Sequence, residues 1–491
     1  MRRFILLIGA LLLPALLANA QVEVRWVQAM SGTTHRGARA IDHAPGGGFY
    51  AAGYINSLSG STDFYLVRTD SMGLPLWEAI TDNGGREYAF DVLAAPDGGC
   101  YVAGYSSAPS AGGLGGRNAY LARYDADGNL LWDEVYGGPG HDGFNAAAFT
   151  TDGDIILAGY VGSPVEYLQT PPDACLWKVD PNGELIWERV YSGDDGDRFT
   201  DVHVTLNGDI YATGYTGSQG HGNRDFILLH ADENGDSLDY TPWGSSASDW
   251  AYDLVMTSDG DFLMAGRSDI HGSDFFQAAL RRVSADGNHV FSRKYGESDF
   301  YDYAHCALET SDGNYIAAGI TKTPENGQND VYLFEVDTDG FLLWSWRFGD
   351  SASTEYVFDM LPVADREFVL TGYTSATDEG THGVLLLKVE VQVSSVGNTT
   401  HPLPTTTRLE SIHPNPFNDC TTIRFTLQSP GRAHLAVFDL LGREVAVLRR
   451  GTHAAGQYDV PFHATGAAAG IYFVRLETEQ GRHTQKMVLL R

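Results

Sequence analysis

A three-residue motif, a small residue followed by Gly and most often Tyr, returns seven times along the first four fifths of the chain. It reads Ala52-Gly53-Tyr54, Ala103-Gly104-Tyr105, Ala158-Gly159-Tyr160 and Thr213-Gly214-Tyr215. It continues as Ala265-Gly266-Arg267, Ala318-Gly319-Ile320 and Thr371-Gly372-Tyr373, with copies 51 to 55 residues apart. A second anchor keeps the same period: Trp26, Trp77, Trp132, Trp187, Phe291 and Trp344, with Asp239 where the pattern lapses. A period near fifty residues confines the chain to folds in which each repeat is one supersecondary unit that buries its apolar face against its neighbours.

Each repeat reads as four short strands. In the second, Phe90–Ala95 is strand a, Cys100–Tyr105 strand b, Ala119–Tyr124 strand c and Leu130–Tyr136 strand d. Tight turns, Pro96-Asp97-Gly98-Gly99 and Asp125-Ala126-Asp127-Gly128, join a to b and c to d. Such turns need positive φ, which Gly supplies without steric cost. Four strands per repeat at this spacing predict a β-propeller. Seven a–b–c triplets are present, the last ending at Val384–Val389 with no strand d after it. Glu23–Met30 precedes the first triplet and matches strand d, with Trp26 in register. The N-terminal strand is therefore expected to complete the last blade and shut a seven-bladed ring, removing two exposed sheet edges.

These repeats, with Asn118-Ala119-Tyr120-Leu121-Ala122-Arg123-Tyr124 and Leu130-Leu131-Trp132…Tyr136-Gly137-Gly138 as an example, resemble a bacterial family of secreted seven-bladed propellers. The resemblance spans residues 22–392 and implies a fold rather than an activity.

The two ends of the chain read differently. Met1-Arg2-Arg3, an apolar run from Phe4 to Leu17 and Ala18-Asn19-Ala20 have the form of a signal peptide over 1–20. Residues 393–408, rich in Ser, Thr and Pro, read as a linker between a propeller over 21–392 and a small domain over 409–491. Six short strands with turn signals in that last segment predict an immunoglobulin-like β-sandwich, so the fold class is all-β throughout. The segment also resembles the type A sorting domain of type IX secretion. The residues that carry this are His413-Pro414-Asn415-Pro416-Phe417-Asn418, Val437-Phe438-Asp439-Leu440-Leu441-Gly442-Arg443, Ala469-Gly470-Ile471-Tyr472-Phe473-Val474 and the terminal Lys486-Met487-Val488-Leu489-Leu490-Arg491. The resemblance makes Pro414, Asn415, Pro416, Gly470, Tyr472 and Lys486 the sorting motif. It implies the secretion machinery as partner, a Bacteroidetes-type host, and passage through the periplasm to the cell surface or medium.

Net charge is −31, and the excess of acid lies on the repeats, since 393–491 hold 10 Lys+Arg and 7 Asp+Glu. Such a surface repels nucleic acid. The Phe4–Leu17 run is too short to span a membrane and no other membrane segment is seen, and a monomeric propeller is expected. Cys100, Cys175, Cys306 and Cys420 lack metal spacing and read as buried free thiols. Asp-x-Asp/Asn-Gly turns at 125–128, 180–183 and 337–340 read as Asx-turns rather than calcium loops. No cofactor or metal site is expected.

Two series of acids recur on strand a. One comprises Glu87, Asp142, Asp197, Asp249, Asp302 and Glu355, with Arg36 in the first repeat; the other comprises Asp91, Asp201, Asp253 and Asp359. Positions four apart on a strand share a side, so both series are expected to face the channel mouth beside Tyr88, Trp250, Tyr303 and Tyr356. They would either form a carboxylate ring for a cation or basic peptide, or accept main-chain bonds from the next blade. Repetition in nearly every blade favours the scaffold role. Variable loops such as Ser106–Arg117, Val161–Pro172, Thr216–Arg224 and Thr374–His382 mark the same end as a recognition surface. His305 lies beside the channel and reads as structural. No nucleophile or metal motif appears. The sequence thus favours a non-enzymatic binding module for a glycan or protein, with an extracellular polysaccharide hydrolase or lyase using mouth carboxylates as the alternative.

Overall fold

The computed structural model describes residues 20–57, 60–108, 116–162, 172–191, 193–220, 222–244, 246, 248–269, 275–285, 287–296, 301–322, 328–350, 352–393, 406–413, 415–418, 420–428, 431–453, 456–464, 468–478 and 481–490. The signal-peptide assignment (save Ala20), nearly all of the linker, Pro414 and parts of the variable loops lie outside these residues.

Seven antiparallel four-stranded sheets make the first unit. Six are built in chain order over 36–81, 87–136, 143–191, 197–243, 249–295 and 302–348. The seventh takes its strands a to c from Glu355–Ala364, Glu367–Thr374 and Gly383–Val393, and its outer strand is Ala20–Met30. That strand pairs from Ala20↔Val393 to Met30↔Val384, the closure expected from the register of Trp26. Seven apolar clusters each join two neighbouring blades; Cys306, Ile316 and Leu333 of the sixth, for example, pack against Val357, Phe368 and Leu387 of the seventh.

Both anchors follow from close approaches at a glycine, to a carbonyl in one case and to a Trp ring in the other. Every strand a carries a β-bulge, between Ala38/Ala40, Ala89/Asp91, Phe144/Ala146, Phe199/Asp201, Ala251/Asp253, Ala304/Cys306 and Val357/Asp359. The bulge bends strand a against strand b, and the motif Gly sits at the point of approach. A Cβ on Gly104 would land on the Tyr88 carbonyl oxygen, and the other six motif glycines face the corresponding carbonyl. The Trp anchors instead lie over the Gly of the next blade's c–d turn: Trp26 on Gly73, Trp77 on Gly128, Trp132 on Gly183 and Trp187 on Gly235. Those glycines also have positive φ, so any side chain there is excluded twice.

The turn aspartates act as the sequence suggests. Asp125 Oδ1 accepts the amides of Asp127 and Asn129, both at 2.9 Å, and Asp180 and Asp337 do the same in their turns. Cys100, Cys175 and Cys306 are free and buried.

The C-terminal unit is a sandwich of a three-stranded sheet (Arg408–His413, Cys420–Leu427, Gly456–His463) and a four-stranded sheet (Glu444–His453, Gly431–Phe438, Gly470–Thr478, Gly481–Leu489). Ile423, Phe425, Leu435, Val437, Val474 and Met487 lie at its core. The Asn415 side chain bridges the last strand, donating to the Lys486 carbonyl and accepting the Val488 amide, both at 2.9 Å. Phe417 pairs with the same strand through its own main chain and buries its ring. Tyr472 donates its hydroxyl to the Ala468 carbonyl at 2.7 Å, whereas Pro416, Gly470 and Lys486 are exposed.

Candidate functional site: the propeller axis and its mouth

The a–b and c–d turns share one end of the propeller, the turn end. The b–c and d–a connections share the other, the mouth end. Strand a starts at the mouth and stacks four layers of side chains along the axis.

The outermost layer holds the first acid series. The expectation that it lies beside the second series, facing the channel, is corrected by the bulge. One extra residue between positions such as Glu87 and Asp91 breaks the alternation on which an i, i+4 relation depends. Glu87, Asp142, Asp197, Asp249, Asp302 and Glu355 are turned away from the axis and are only 0 to 4% exposed. They are held within their own blade or the connection leading into it. Ser106 donates to Glu87 at 2.9 Å, the Gly138 and Gly162 amides to Asp142 at 2.7 and 2.9 Å, Ser218 to Asp197 at 2.7 Å and Thr374 to Glu355 at 3.0 Å. Asp249 accepts from Ser268. Burial pushes the Glu355 carboxyl up to about 7. Asp63 and Asp82 bring carboxylate oxygens within 4.8 Å of Glu87, the one three-acid grouping of this kind among the described residues. Each already accepts a protein donor, from Ser61, the Gly84 amide and Ser106 respectively.

The next layer is a staircase of rings and guanidiniums. The residue after each acid (Tyr88, Arg198, Trp250, Tyr303, Tyr356, or Gly in two blades) lies opposite the motif's third residue in strand b. It also meets that residue of the preceding blade. Tyr54 packs at a tilt against Tyr88 at 5.1 Å between centroids, and Tyr215 against Trp250 at 4.6 Å. The Arg198 guanidinium lies 3.7 Å from the Tyr160 centroid, and that of Arg267 lies 5.0 Å from Tyr303. On the loop Thr374–His382, His382 stacks on Tyr373 at 4.8 Å.

The bulge residues form the third layer: Arg39, Phe90, Asn145, Thr200, Tyr252, His305 and Phe358. Arg39 lies 3.8 Å from the Phe358 centroid. Asn145 donates to the Phe199 carbonyl of the next blade at 2.6 Å, and Thr200 to that of Ala251 at 3.1 Å. His305 hydrogen-bonds the Val357 main chain; burial, then the Arg39 charge, pull its imidazole down to about 3, so it is neutral at ordinary pH.

The second acid series makes the fourth layer. Each carboxylate accepts its own following amide and reaches across a seam for one in the next blade. The bridges are Asp91 to Ala147 at 2.7 Å, Asp201 to Leu254 at 2.8 Å, Asp253 to Ala307 at 2.6 Å and Asp359 to Ile41 at 2.9 Å. In the first blade, which has Ala40 at this position, Asp42 reaches Ala94 at 2.7 Å instead. Burial raises all five, joined in all but Asp42 by repulsion between carboxylates of different blades: Asp91 and Asp359 to about 7, Asp201 to about 6, with Asp253 and Asp42 also up. Sequence reasoning missed the bulge layer except for His305. A signal lay in the seven unlike residues, Arg, Phe, Asn, Thr, Tyr, His and Phe, at one repeat position.

The chain is a seven-bladed β-propeller followed by a secretion sorting domain. Residues 411–490 match the family described as secretion system C-terminal sorting domain. That tail directs the protein to secretion or the cell surface and engages the secretion machinery. No curated protein matches the sequence. Similar solved structures include a fungal alcohol oxidase of the AA5 family in complex with copper (13% identity, 96% of this chain and 99% of that one, TM-score 0.47). Two others are the Pan2 WD40 domain of Neurospora crassa (10%, 75% and 95%, 0.47) and the β-propeller domain of the Trilobed protease of Pyrococcus furiosus (11%, 75% and 99%, 0.41). No helix among the described residues is long and apolar enough to cross a membrane.

Proposed function

We propose that the mouth end is a ligand-binding surface and that the chain is a non-enzymatic binding module working outside the cell. The partly exposed members of the staircase, among them Tyr54, Tyr88, Trp250, Tyr303 and Tyr356, carry this reading; Tyr105, Tyr160 and Tyr215 beneath them are buried. Rigid aromatic side chains present flat apolar faces with polar edges at small entropic cost, which suits saccharide rings and protein side chains alike. The rival, a polysaccharide hydrolase or lyase, needs acids that touch substrate. The mouth acids are instead buried on hydroxyl and amide donors, and the axial acids hold main-chain amides, which weighs toward binding. Delivery belongs to the same proposal: a signal peptide over 1–20, transit of the periplasm, and a tail from 409 that acts in sorting.

A glycan array probed with the purified mature chain, run beside an assay for new reducing or unsaturated sugar ends, tests it. Retention without product is expected; product release would put the enzyme reading in its place. Removing 393–491 is expected to strand a soluble propeller in the periplasm, and undiminished surface display of the truncated chain would end the sorting role.

A further inference from the structure

The seam between the first and second blades holds an acid that the other seams lack. Asp63 lies at the start of strand c of the first blade, Asp82 directly after its strand d, and Glu87 opens strand a of the second blade. Thr62 and Arg86, the residues just before Asp63 and Glu87, form a parallel main-chain bridge that brings the two segments together. Strands c and d pair at Phe64↔Thr81, so Asp82 follows beside Asp63. Where the same register ends at Tyr136, Trp243, Tyr295 and Phe348, the next residue is Gly137, Gly244, Gly296 and Gly349. A side chain on Gly137 or Gly296 would collide with the carboxylate of Asp142 or Asp302, the counterparts of Glu87. The first blade alone has a carboxylate at that place.

Asp63, Asp82 and Glu87 each bring an oxygen within 4.8 Å of the other two. Asp63 and Glu87 are 4 and 0% exposed, whereas Asp82 reaches solvent. No Lys, Arg or His among the described residues forms an ion pair with any of them. Burial raises the Asp63 and Glu87 carboxyls, and the charge of Asp82 adds to both. Ser61, the Gly84 amide and Ser106 engage one oxygen of each carboxylate. The second oxygen of Glu87, Oε2, is buried; the Asn83 amide draws the carboxyl down, yet no donor meets Oε2 in hydrogen-bond geometry. A buried carboxylate oxygen without a donor, beside two further carboxylates, is costly, and a cation at the same point removes the cost.

We infer that Asp63, Asp82 and Glu87 hold a calcium ion that ties the first blade to the second at the mouth. The group offers hard oxygens alone, with no His or Cys, which suits Ca²⁺ or Mg²⁺ rather than a transition metal. Ca²⁺ takes oxygens at about 2.3–2.6 Å, so two of its ligands stand up to about 5 Å apart; for Mg²⁺ the limit is about 4 Å. A spread of up to 4.8 Å suits the larger ion. Solvent on the exposed side of Asp82 completes a shell of about 6–8 oxygens. No metal motif shows in the sequence because the ligands come from two blades. The site is independent of what the mouth binds.

Melting of the mature full-length chain tests the assignment. The chain is stripped with a chelator, then titrated with CaCl₂ or MgCl₂ in about 0.15 M KCl to screen its diffuse charge. The melting temperature is expected to climb with calcium, half-saturating at about 0.1–1 mM, and to need about tenfold more magnesium for the same rise. Asp82→Asn keeps an acceptor for the Gly84 amide and removes one charge from an exposed position. It is expected to melt like the parent in chelator and to need about tenfold or more calcium than the parent does. Equilibrium dialysis at about 1 mM calcium is expected to count close to one ion fewer on this variant than on the parent. A melting temperature indifferent to calcium up to about 10 mM would overturn the site and leave two buried acids that hold protons instead. An undiminished response and ion count in Asp82→Asn would overturn the location. An equal response to magnesium would overturn calcium as the occupant.

Discussion

The two ends of the propeller use their cations in opposite ways. At the turn end, the strand c cation closes on an acid of the a–b turn: Arg123 on Asp97 at 2.6 Å, Lys178 on Asp154 at 3.1 Å, Arg282 on Asp261 at 2.8 Å and Lys388 on Glu367 at 2.7 Å. The sixth blade inverts the pair with Glu335, and Arg366 from the seventh answers it at 2.9 Å. At the mouth, Arg117, Arg198, Arg224 and Arg267 lie on aromatic faces instead. The turn end pairs its cations with acids in most blades; the mouth varies from blade to blade, with Arg36 on Glu78 at 3.3 Å and these four arginines on rings. Repetition marks what each blade needs to stand beside its neighbour; departure marks what a single blade carries besides.

The strongest way to break the comparison is to break the ring that both ends share. Deleting residues 21–31 removes the outer strand of the seventh blade and bares its c strand. The expected loss is several kcal/mol, a large part of a typical domain's stability. Circular dichroism melting reads it, and an unchanged melting temperature would refute the closure.

A single methyl group tests the bulge that gives the axis its layers. Gly104→Ala sets a Cβ on the Tyr88 carbonyl and is expected to cost about 1–3 kcal/mol. Gly153→Ala, at a turn-end Gly with open space around it, strains only its positive φ and should cost less. Equal losses in denaturant titration would remove the collision as the cause.

The axial carboxyls give a pH dependence to which the mouth acid Glu355, also raised to about 7 by burial, adds in the same direction. Asp91, Asp201 and Asp359 titrate at about 6 to 7 in the folded chain, above the ordinary 3.8 they have when unfolded. Groups raised in this way bind protons more tightly when folded. Their contribution is therefore fully present below about pH 4 and lost as pH climbs through 6 to 7. The melting temperature is expected to be lower at pH 8 than at pH 5, and the drop to shrink in Asp253→Asn, which removes one of the crowded charges. A melting temperature that rises over this interval would contradict the layer of coupled acids.

The smallest effects sharpen the contrast between the ends directly. Arg282→Gln at the turn end forfeits partly exposed ion pairs and should cost up to about 1 kcal/mol. Arg267→Tyr at the mouth has no ion pair to lose and should stay within about 0.5 kcal/mol of the parent. Reversed magnitudes in paired urea titrations would show that the mouth arginines serve the scaffold.

Blade number, strand identity and closure were legible in the sequence because their causes are local and recur: a Gly where a carbonyl intrudes, a Trp over a turn Gly. Register within strand a was not. Alternation counted straight through Glu87 to Asp91 puts both on one side, and nothing in the spelling of Phe90 announces that it is an extra residue. The acids were therefore found but misplaced as a pair, and the ring of bulge residues between them went unread. Arg267 was visible as a lapse in the motif, but a lapse gains meaning only when Arg224 and Trp250, distant in sequence, are seen beside it.

The strand at Ala20–Met30 has one more consequence, and it concerns time. It is the first propeller strand to be made, yet its hydrogen-bonding partner, Gly383–Val393, is the last propeller segment made. Until that segment exists the ring cannot close. Closure is thus postponed until the chain has been read almost to its sorting domain, which follows within a few residues. The order of synthesis makes a finished ring and an exposed address label nearly simultaneous events, so chains broken anywhere in the repeats would lack both.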